Sequence, residues 1–285
     1  MDAKQITIVG TGLLGASLGL ALKARGFDGR IIGLGRRLVT VERAKAAGAV
    51  DVATDQPDRC VPQSDLVVLA LPLSGFATVF RQIAPHDHDQ LVISDVGSTK
   101  LEPVTTARKY LPQPNRFCGA HPMAGKECSG PEAADAELFV GKPCIITPET
   151  DTADEAVQMV ESLWRTVGMS VLRMPAQEHD RCTALTSHLP HAAAVLLVQV
   201  AAQHGGWDVA STGFTSTTRL ASSNPPMRTD IMLANRRPLI EAIDAFSHSL
   251  TALRKALDHA DEAAIRRILE TSKTARDNWL NDPNR

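Results

Sequence analysis

The sequence predicts an α/β fold: a doubly wound, mostly parallel sheet followed by an all-α domain. Three observations predict it. Strand-like and helix-like stretches alternate from residue 1 to about residue 175. Several strand-like runs are continuous in Val, Ile and Leu, as strands buried on both faces of a parallel sheet should be. After Pro175 the pattern changes, and no convincing strand follows. The expected domains are therefore 1–175 and 176–285.

Residues 5–9 read as the first strand. They run straight into the G-x-G-x-x-G turn Gly10, Thr11, Gly12, Leu13, Leu14, Gly15 and an apolar helix over 13–24. That order suits a dinucleotide. Gly10 allows the tight turn, Gly12 lets the backbone approach a pyrophosphate, and Gly15 lets the helix pack on the strand. The helix N-terminus, with the backbone at Leu13 and Leu14, faces the phosphates with free N–H groups and a partial positive charge. This is a Rossmann-type opening. Residues 30–34 read as the second strand. A carboxylate at its end would hold a ribose 2′-hydroxyl. Gly35, Arg36 and Arg37 stand there instead. Two guanidiniums suit a 2′-phosphate, which they can grip in bidentate fashion. NADP is the expected cofactor, with NAD the alternative.

A helix over 38–47 comes next. Strands over 66–71, 91–95, 116–119, 144–147 and 170–174 then follow, with helices over 76–83, 102–110 and 152–166 among them. Beyond Pro175, residues 178–189 and 191–203 read as helices. The second is apolar nearly all round, which predicts burial. Pro190 should break or kink the path between them. A long helix is expected from Ile231 to about His259. On it Leu239, Ile243, Phe246, Leu250, Leu253 and Leu257 are spaced 4-3-4-3-4, a coiled-coil-like seam. A last helix spans roughly 262–280. The seam suits packing against that last helix or an interface between two chains. A homodimer through the helical domain is expected.

Composition narrows the function classes. The net charge of −2 favours neither nucleic acid nor an anionic membrane as partner. The longest apolar run, 192–198, is too short to span a bilayer. Cys60, Cys118, Cys128, Cys144 and Cys182 are odd in number, scattered and without C-x-x-C pairs. They fit a reducing cytoplasm, and neither a disulfide framework nor a zinc site. No charged-then-apolar leader opens the chain, so no secretory signal is expected.

Three segments put reactive side chains beside strand ends or helix breaks. The first is Ser94-Asp95-Val96-Gly97-Ser98-Thr99-Lys100, after a buried strand. Ligands of open α/β sheets bind outside the carboxyl ends of the strands, so Ser98 stands level with a nicotinamide ring. It also suits capping of the next helix. The second is Gly119-Ala120-His121-Pro122-Met123-Ala124-Gly125-Lys126-Glu127, again after a strand. His121 can take a proton near neutral pH. The third is His179-Asp180, then Ser187-His188-Leu189-Pro190-His191. His188 and His191 resemble half a metal site, but no third or fourth ligand stands at sensible spacing, and no metal is expected. His86-Asp87-His88-Asp89 reads as a solvated loop.

These motifs, in this order, resemble the prephenate/arogenate dehydrogenase family. The series is G-x-G-L-L-G-x-S-L, D-V-G-S-T-K, H-P-M-A-G-K-E, Ser129-Gly130, Leu138-Phe139, H-D, S-H-L-P-H, and Gly213-Phe214 leading to Thr218-Arg219-Leu220-Ala221. The resemblance covers nearly the whole chain, and H-P-M-A-G together with S-H-L-P-H is specific. It implies oxidative decarboxylation of a cyclohexadienol, prephenate or arogenate, on the route to tyrosine. It implies that His121 accepts the ring hydroxyl's proton and that Ser98 hydrogen-bonds the same hydroxyl. Arg219 would bind a substrate carboxylate, His191 and His188 would line the pocket, and Glu127 would sit at its entrance.

The chain departs from the family's pattern at the missing acid after the second strand. It also lacks an aspartate between Phe214 and Thr218, where Thr215-Ser216-Thr217 stand. No regulatory domain is expected beyond Arg285, and feedback by tyrosine is then expected only at the active site, if at all. Lys126 beside Glu127 would disfavour a substrate ammonium. Two other readings stay open. One is a hydroxyacid or imine-reductase type of two-domain dehydrogenase with Lys100 as its catalytic lysine. The other is an NADPH-binding module without turnover.

Overall fold

The computed structural model describes residues 1–126 and 128–282. The chain divides into two compact units, Met1–Arg236 and Arg237–Arg285. The first is built on one eight-stranded sheet. Its strands are β1 (Gln5–Val9), β2 (Arg30–Leu34), β3 (Val52–Thr54), β4 (Leu66–Leu69), β5 (Val92–Asp95), β6 (Phe117–Pro122), β7 (Pro143–Thr147) and β8 (Ser170–Arg173). They lie in the order β3-β2-β1-β4-β5-β6-β7-β8, and only the β6–β7 pair is antiparallel. Helices α1 (Leu13–Ala24), α2 (Leu38–Ala46), α3 (Phe76–Ile83), α4 (Leu101–Tyr110) and α5 (Asp154–Thr166) alternate with them. This is the doubly wound architecture expected, with strand ends within a residue or two for most elements.

The strands read as continuous apolar runs because both faces of the sheet are covered. Every residue of β1 and β4 is buried. Successive side chains go to opposite faces. Leu66 and Val68 join Ile6, Ile8 and Trp164 in one core, while Val67 and Leu69 join Phe76, Phe80 and Phe117 in the other. An edge-to-face ring pair marks each core, Phe139–Trp164 at 5.5 Å and Phe80–Phe117 at 5.7 Å.

Two strands differ from expectation. Val52-Ala53-Thr54 forms β3 on the sheet edge, too short to show a period in sequence. β6 is longer than 116–119. Antiparallel β7 extends its ladder, setting His121 opposite Ile145 and Pro122 opposite Cys144. His121 therefore stands on a strand rather than in the loop after it.

The chain then turns helical. α6 (Ala176–Thr183) passes through a π-helical turn, Ala184–His188, into α7 (Leu189–His204). Pro190 does not break the path. Proline has no N–H to give and crowds the carbonyl four residues back, and the wider π turn absorbs both. α7 is apolar yet largely uncovered, with Leu196 56% and Val200 57% exposed. That corrects its expected burial, because an apolar helix is buried only where something lies over it. Among the described residues, Ala176–His204 is the one helix long and apolar enough, by length and composition, to cross a membrane. It also carries the buried polar residues His179, Asp180, Thr183, His188 and His191.

α8 (Thr212–Thr218) and α9 (Pro225–Ala234) follow. The helix expected from Ile231 to His259 is in fact two. α9 ends at Ala234, and α10 (Arg236–Asp258) starts after Asn235. The second unit consists of α10 from Arg237 onward and α11 (Glu262–Leu280), whose first turn is capped by Asp261 accepting from the Ala264 N–H at 2.9 Å. Ile243, Phe246, Leu250 and Leu257 of the seam are exposed, and α11 buries no residue. Packing between these two helices does not fill the seam.

Candidate active site

The glycine turn is built for an anion. Gly10 has φ +93°, and a Cβ there would lie 2.4 Å from the Ala70 carbonyl oxygen. A Cβ on Gly15 would lie 2.0 Å from the Gly10 oxygen. The chain itself requires both glycines. Gly12 differs, because a Cβ there would meet nothing within 4 Å. The open space above it is where a pyrophosphate fits. Gly12 is the N-cap of α1 and offers no side-chain cap, and the first turn holds no acid. The N–H groups at Leu13 and Leu14 keep their partial positive charge for a ligand. A dinucleotide therefore fits this cradle.

Arg36 and Arg37 follow β2 and are exposed, with Arg37 the N-cap of α2. No carboxylate pairs with either among the described residues.

The carboxyl ends of β5 and β6 meet around a buried ion pair. Lys100 and Asp95 are both fully buried and in contact. Burial raises the Asp95 carboxyl above its usual range, and the Lys100 ammonium opposes that. The Lys100 Nζ also donates to the Ala120 carbonyl at 2.6 Å, and Asp95 accepts from the Ala120 N–H at 3.1 Å. The residue before His121 is thus clamped from both sides. Lys100 is spent on this clamp, which removes it as a catalytic lysine.

His121 is half-buried, and its Nδ1 lies 2.9 Å from the Nε2 of fully buried His179. The Nδ1 of His179 lies 2.8 Å from Oδ1 of Asp180. Asp180 in turn accepts the N–H groups of Lys100 at 2.7 Å and Leu101 at 2.9 Å, at the start of α4. Burial, with His179, Lys100 and His188 nearby, holds the His121 imidazole well below the usual histidine range. It is a neutral ring at physiological pH.

His188 is buried, and its Nδ1 accepts from the Asn235 amide at 2.9 Å. Burial pushes it down to about 4. His191 donates from Nδ1 to the Ser187 carbonyl at 2.9 Å, and its buried Nε2 has no partner among the described residues. Burial lowers it, and the Arg228 and Arg219 guanidiniums add to that. The structure thus brings Arg219, His188 and His191 into one neighbourhood. It adds Arg228, whose buried Nε has no partner among the described residues and whose guanidinium is lowered by burial. Ser98 is half-buried on the β5–α4 loop. No hydrogen bond joins it to His121 among the described residues; His179 holds the ring instead. Glu127 lies outside the described residues.

The family model described as prephenate dehydrogenase, nucleotide-binding domain, matches residues 18–173, and the one described as prephenate dehydrogenase, dimerization domain, matches residues 175–271. The chain belongs to the prephenate dehydrogenase family. Among curated relatives, a cyclohexadienyl dehydrogenase of Zymomonas mobilis is 33% identical, over 96% of this chain and 95% of its own. The crystal structure of prephenate dehydrogenase from A. aeolicus, in complex with hydroxyphenyl propionate and NAD+, superposes with a TM-score of 0.91. It is 29% identical and covers 98% of this chain and 99% of its own. The structure of Synechocystis arogenate dehydrogenase gives a TM-score of 0.84 at 27% identity, over 96% of this chain and 99% of its own.

Three further residues of this prephenate dehydrogenase family chain depart from the sequence reading. Lys126 pairs with Asp135 at 2.9 Å, so its charge is already met. Asp87, expected in a solvated loop, has both carboxylate oxygens buried, and burial raises it. Asn235, buried between Asp180 and His188, carried no signal in sequence. The His179-Asp180 pair was visible as a doublet, but its contact with His121, 58 residues away, was not.

Proposed function

We propose that this enzyme carries out oxidative decarboxylation of prephenate or arogenate, with NADP the preferred cofactor, on the route to tyrosine. The observation that carries the reading is His121. It is a neutral imidazole at the carboxyl end of β6, beside the end of the sheet where the glycine turn lies. The named activities of the relatives support the same chemistry.

A nicotinamide held at the glycine turn would supply the hydride acceptor for the carbon that bears the ring hydroxyl. The oxygen must lose its proton as the carbonyl forms, and His121 takes it. Ser98 hydrogen-bonds the same oxygen. Arg219 holds a substrate carboxylate, and a fixed guanidinium keeps the anion in register. His188 and His191 line the pocket, with Glu127 at its entrance. The ring carboxyl leaves as carbon dioxide, and aromatisation makes the step irreversible. Gly10, Gly12, Leu13, Leu14 and Gly15 would hold the pyrophosphate, and Arg36 and Arg37 the 2′-phosphate. We assign 1–175 to dinucleotide binding and 176–285 to the helical substrate and dimerisation region, and we place the homodimer in the cytoplasm.

The test is absorbance at 340 nm with prephenate and with arogenate, using each cofactor. Turnover of at least one substrate is expected. His121→Asn should lower kcat by about 10²–10⁴-fold, the usual worth of a general base. No turnover of either substrate would overturn the reading.

A further inference from the structure

We propose that His179 and Asp180 form a proton relay behind His121, so that the proton taken from the substrate hydroxyl leaves its charge on His179 beside Asp180. The inference rests on the reading of His121 as the group that accepts that proton.

The argument starts from hydrogen-bond accounting. Backbone N–H groups can only donate, so the carboxylate of Asp180 is the acceptor for Lys100 and Leu101. Its Oδ1 also faces the Nδ1 of His179 at 2.8 Å. An acceptor there requires Nδ1–H on His179. A neutral imidazole with Nδ1–H has its lone pair on Nε2. That lone pair faces the Nδ1 of His121 at 2.9 Å, so His121 carries its hydrogen on Nδ1 too. The lone pair of His121 is then on Nε2, the one ring nitrogen of the two histidines with no protein partner among the described residues. A carboxylate held against the start of α4 has fixed, through two rings, which nitrogen of His121 is the base.

The same chain tells where the proton goes. The substrate O–H gives its proton to Nε2 of His121. The Nδ1 proton of His121 passes to Nε2 of His179. His121 returns to a neutral ring in the other tautomer, and His179 becomes an imidazolium with both nitrogens protonated. Asp180 stays a carboxylate. One bond to hydrogen forms for each that breaks, and the positive charge lands next to a negative one. When product leaves, the proton returns by the same path to solvent.

The surroundings favour that resting place. His121 faces Lys100, a fixed cation, and burial disfavours an imidazolium on its ring. Asp95 faces Lys100 and is already paired. His188 is neutral, held by Asn235. Burial raises the nearby thiols of Cys118 and Cys144, so they stay neutral. Asp180 is the anion in direct contact with the His179 ring.

Two experiments test it. In ¹⁵N-histidine-labelled wild-type enzyme, long-range ¹H–¹⁵N spectra at neutral pH should show both His121 and His179 as Nδ1–H tautomers. An Nε2–H tautomer at His179 would overturn the relay, whatever the enzyme's substrate is. The second is His179→Gln, whose side-chain oxygen can still accept the His121 Nδ1–H but cannot take a proton. Its kcat should fall about 10- to 100-fold with substrate KM within about twofold, somewhat less than loss of a whole base. The acidic limb of its kcat/KM profile should move to lower pH, because the site that stored the proton is gone. A merely structural role would leave that limb in place. His179→Gln with unchanged dinucleotide affinity, near-normal kcat and the same limb would refute the relay. Wild-type enzyme inert toward both substrates would count against the proposed function, and the tautomer spectra would still decide the relay.

Discussion

Arg36 and His188 show how single residues set measurable behaviour. Arg36 sits exposed where a carboxylate would select against a 2′-phosphate. Arg36→Ala is expected to raise KM for NADP several-fold and to leave KM for NAD nearly unchanged. Equal kcat/KM for the two cofactors in the wild type, or a preference for NAD, would sink this assignment. His188 links the site to stability. Its folded-state value, about 4, lies below the ordinary 6.5 of an unfolded histidine. Between those values the unfolded chain binds the proton and the folded one does not. Stability is therefore fully present above pH 6.5 and is lost as pH falls toward 4, by roughly 3 kcal/mol from this group at 1.36 kcal/mol per unit. Urea unfolding midpoints across that window should show the loss. His188→Gln should flatten it, since a glutamine does not titrate.

At the scale of elements, the glycine turn separates two duties that look alike in sequence. Gly15→Ala puts a methyl against the Gly10 oxygen and should destabilise the fold, lowering Tm. Gly12→Ala meets open space and should leave Tm within a degree or two while weakening dinucleotide binding tenfold or more. Thermal melts with and without cofactor separate the two. If Gly12→Ala binds cofactor normally, the pyrophosphate lies elsewhere.

The same elements show what the sequence made legible. β1, α1 and β2 were readable to the residue, because buried parallel strands and a glycine turn leave a local pattern. β3 was not, because three half-buried residues carry no period. The stop between α9 and α10 was invisible because its cause is tertiary. The Asn235 amide is drawn to the Asp180 carbonyl and the His188 ring, both distant in sequence. The π turn was hidden in the same way. Pro190 announced a disturbance without saying that the helix would survive it. Of the candidate site, His121, His188, His191 and Arg219 all stand in legible motifs. Arg228 has no motif around it.

At the scale of the whole molecule, apolar side chains stand exposed along the helical region. Leu196 and Val200 of α7, and Phe246, Leu250 and Leu257 of α10, are all between 46% and 60% exposed. α11 runs for 19 residues without burying one. Exposed apolar side chains clustered along a helix face mark an interaction surface. The match of residues 175–271 to a dimerization domain gives it an occupant, a second copy. Sedimentation at micromolar concentration should give a dimer. Phe246→Glu with Leu250→Glu should shift it to monomer or raise the dimer Kd at least tenfold, because a desolvated carboxylate is costly in such a seam. A wild-type monomer at that concentration would refute the dimer.

Lys100 has one more consequence. Its side chain is bound to Asp95 and the Ala120 carbonyl, and its own N–H is bound to Asp180. One residue thus ties the centre of the sheet to α6, a segment 80 positions later in the chain. The helix carrying His179 and Asp180 has no seat until β5, β6 and the start of α4 are in place. A nascent chain that has completed only its first strands has the glycine turn but not the His121–His179–Asp180 contacts. Capacity for the dinucleotide should come early in folding and capacity for chemistry late, so a partly folded chain is able to hold cofactor before it is able to turn over substrate.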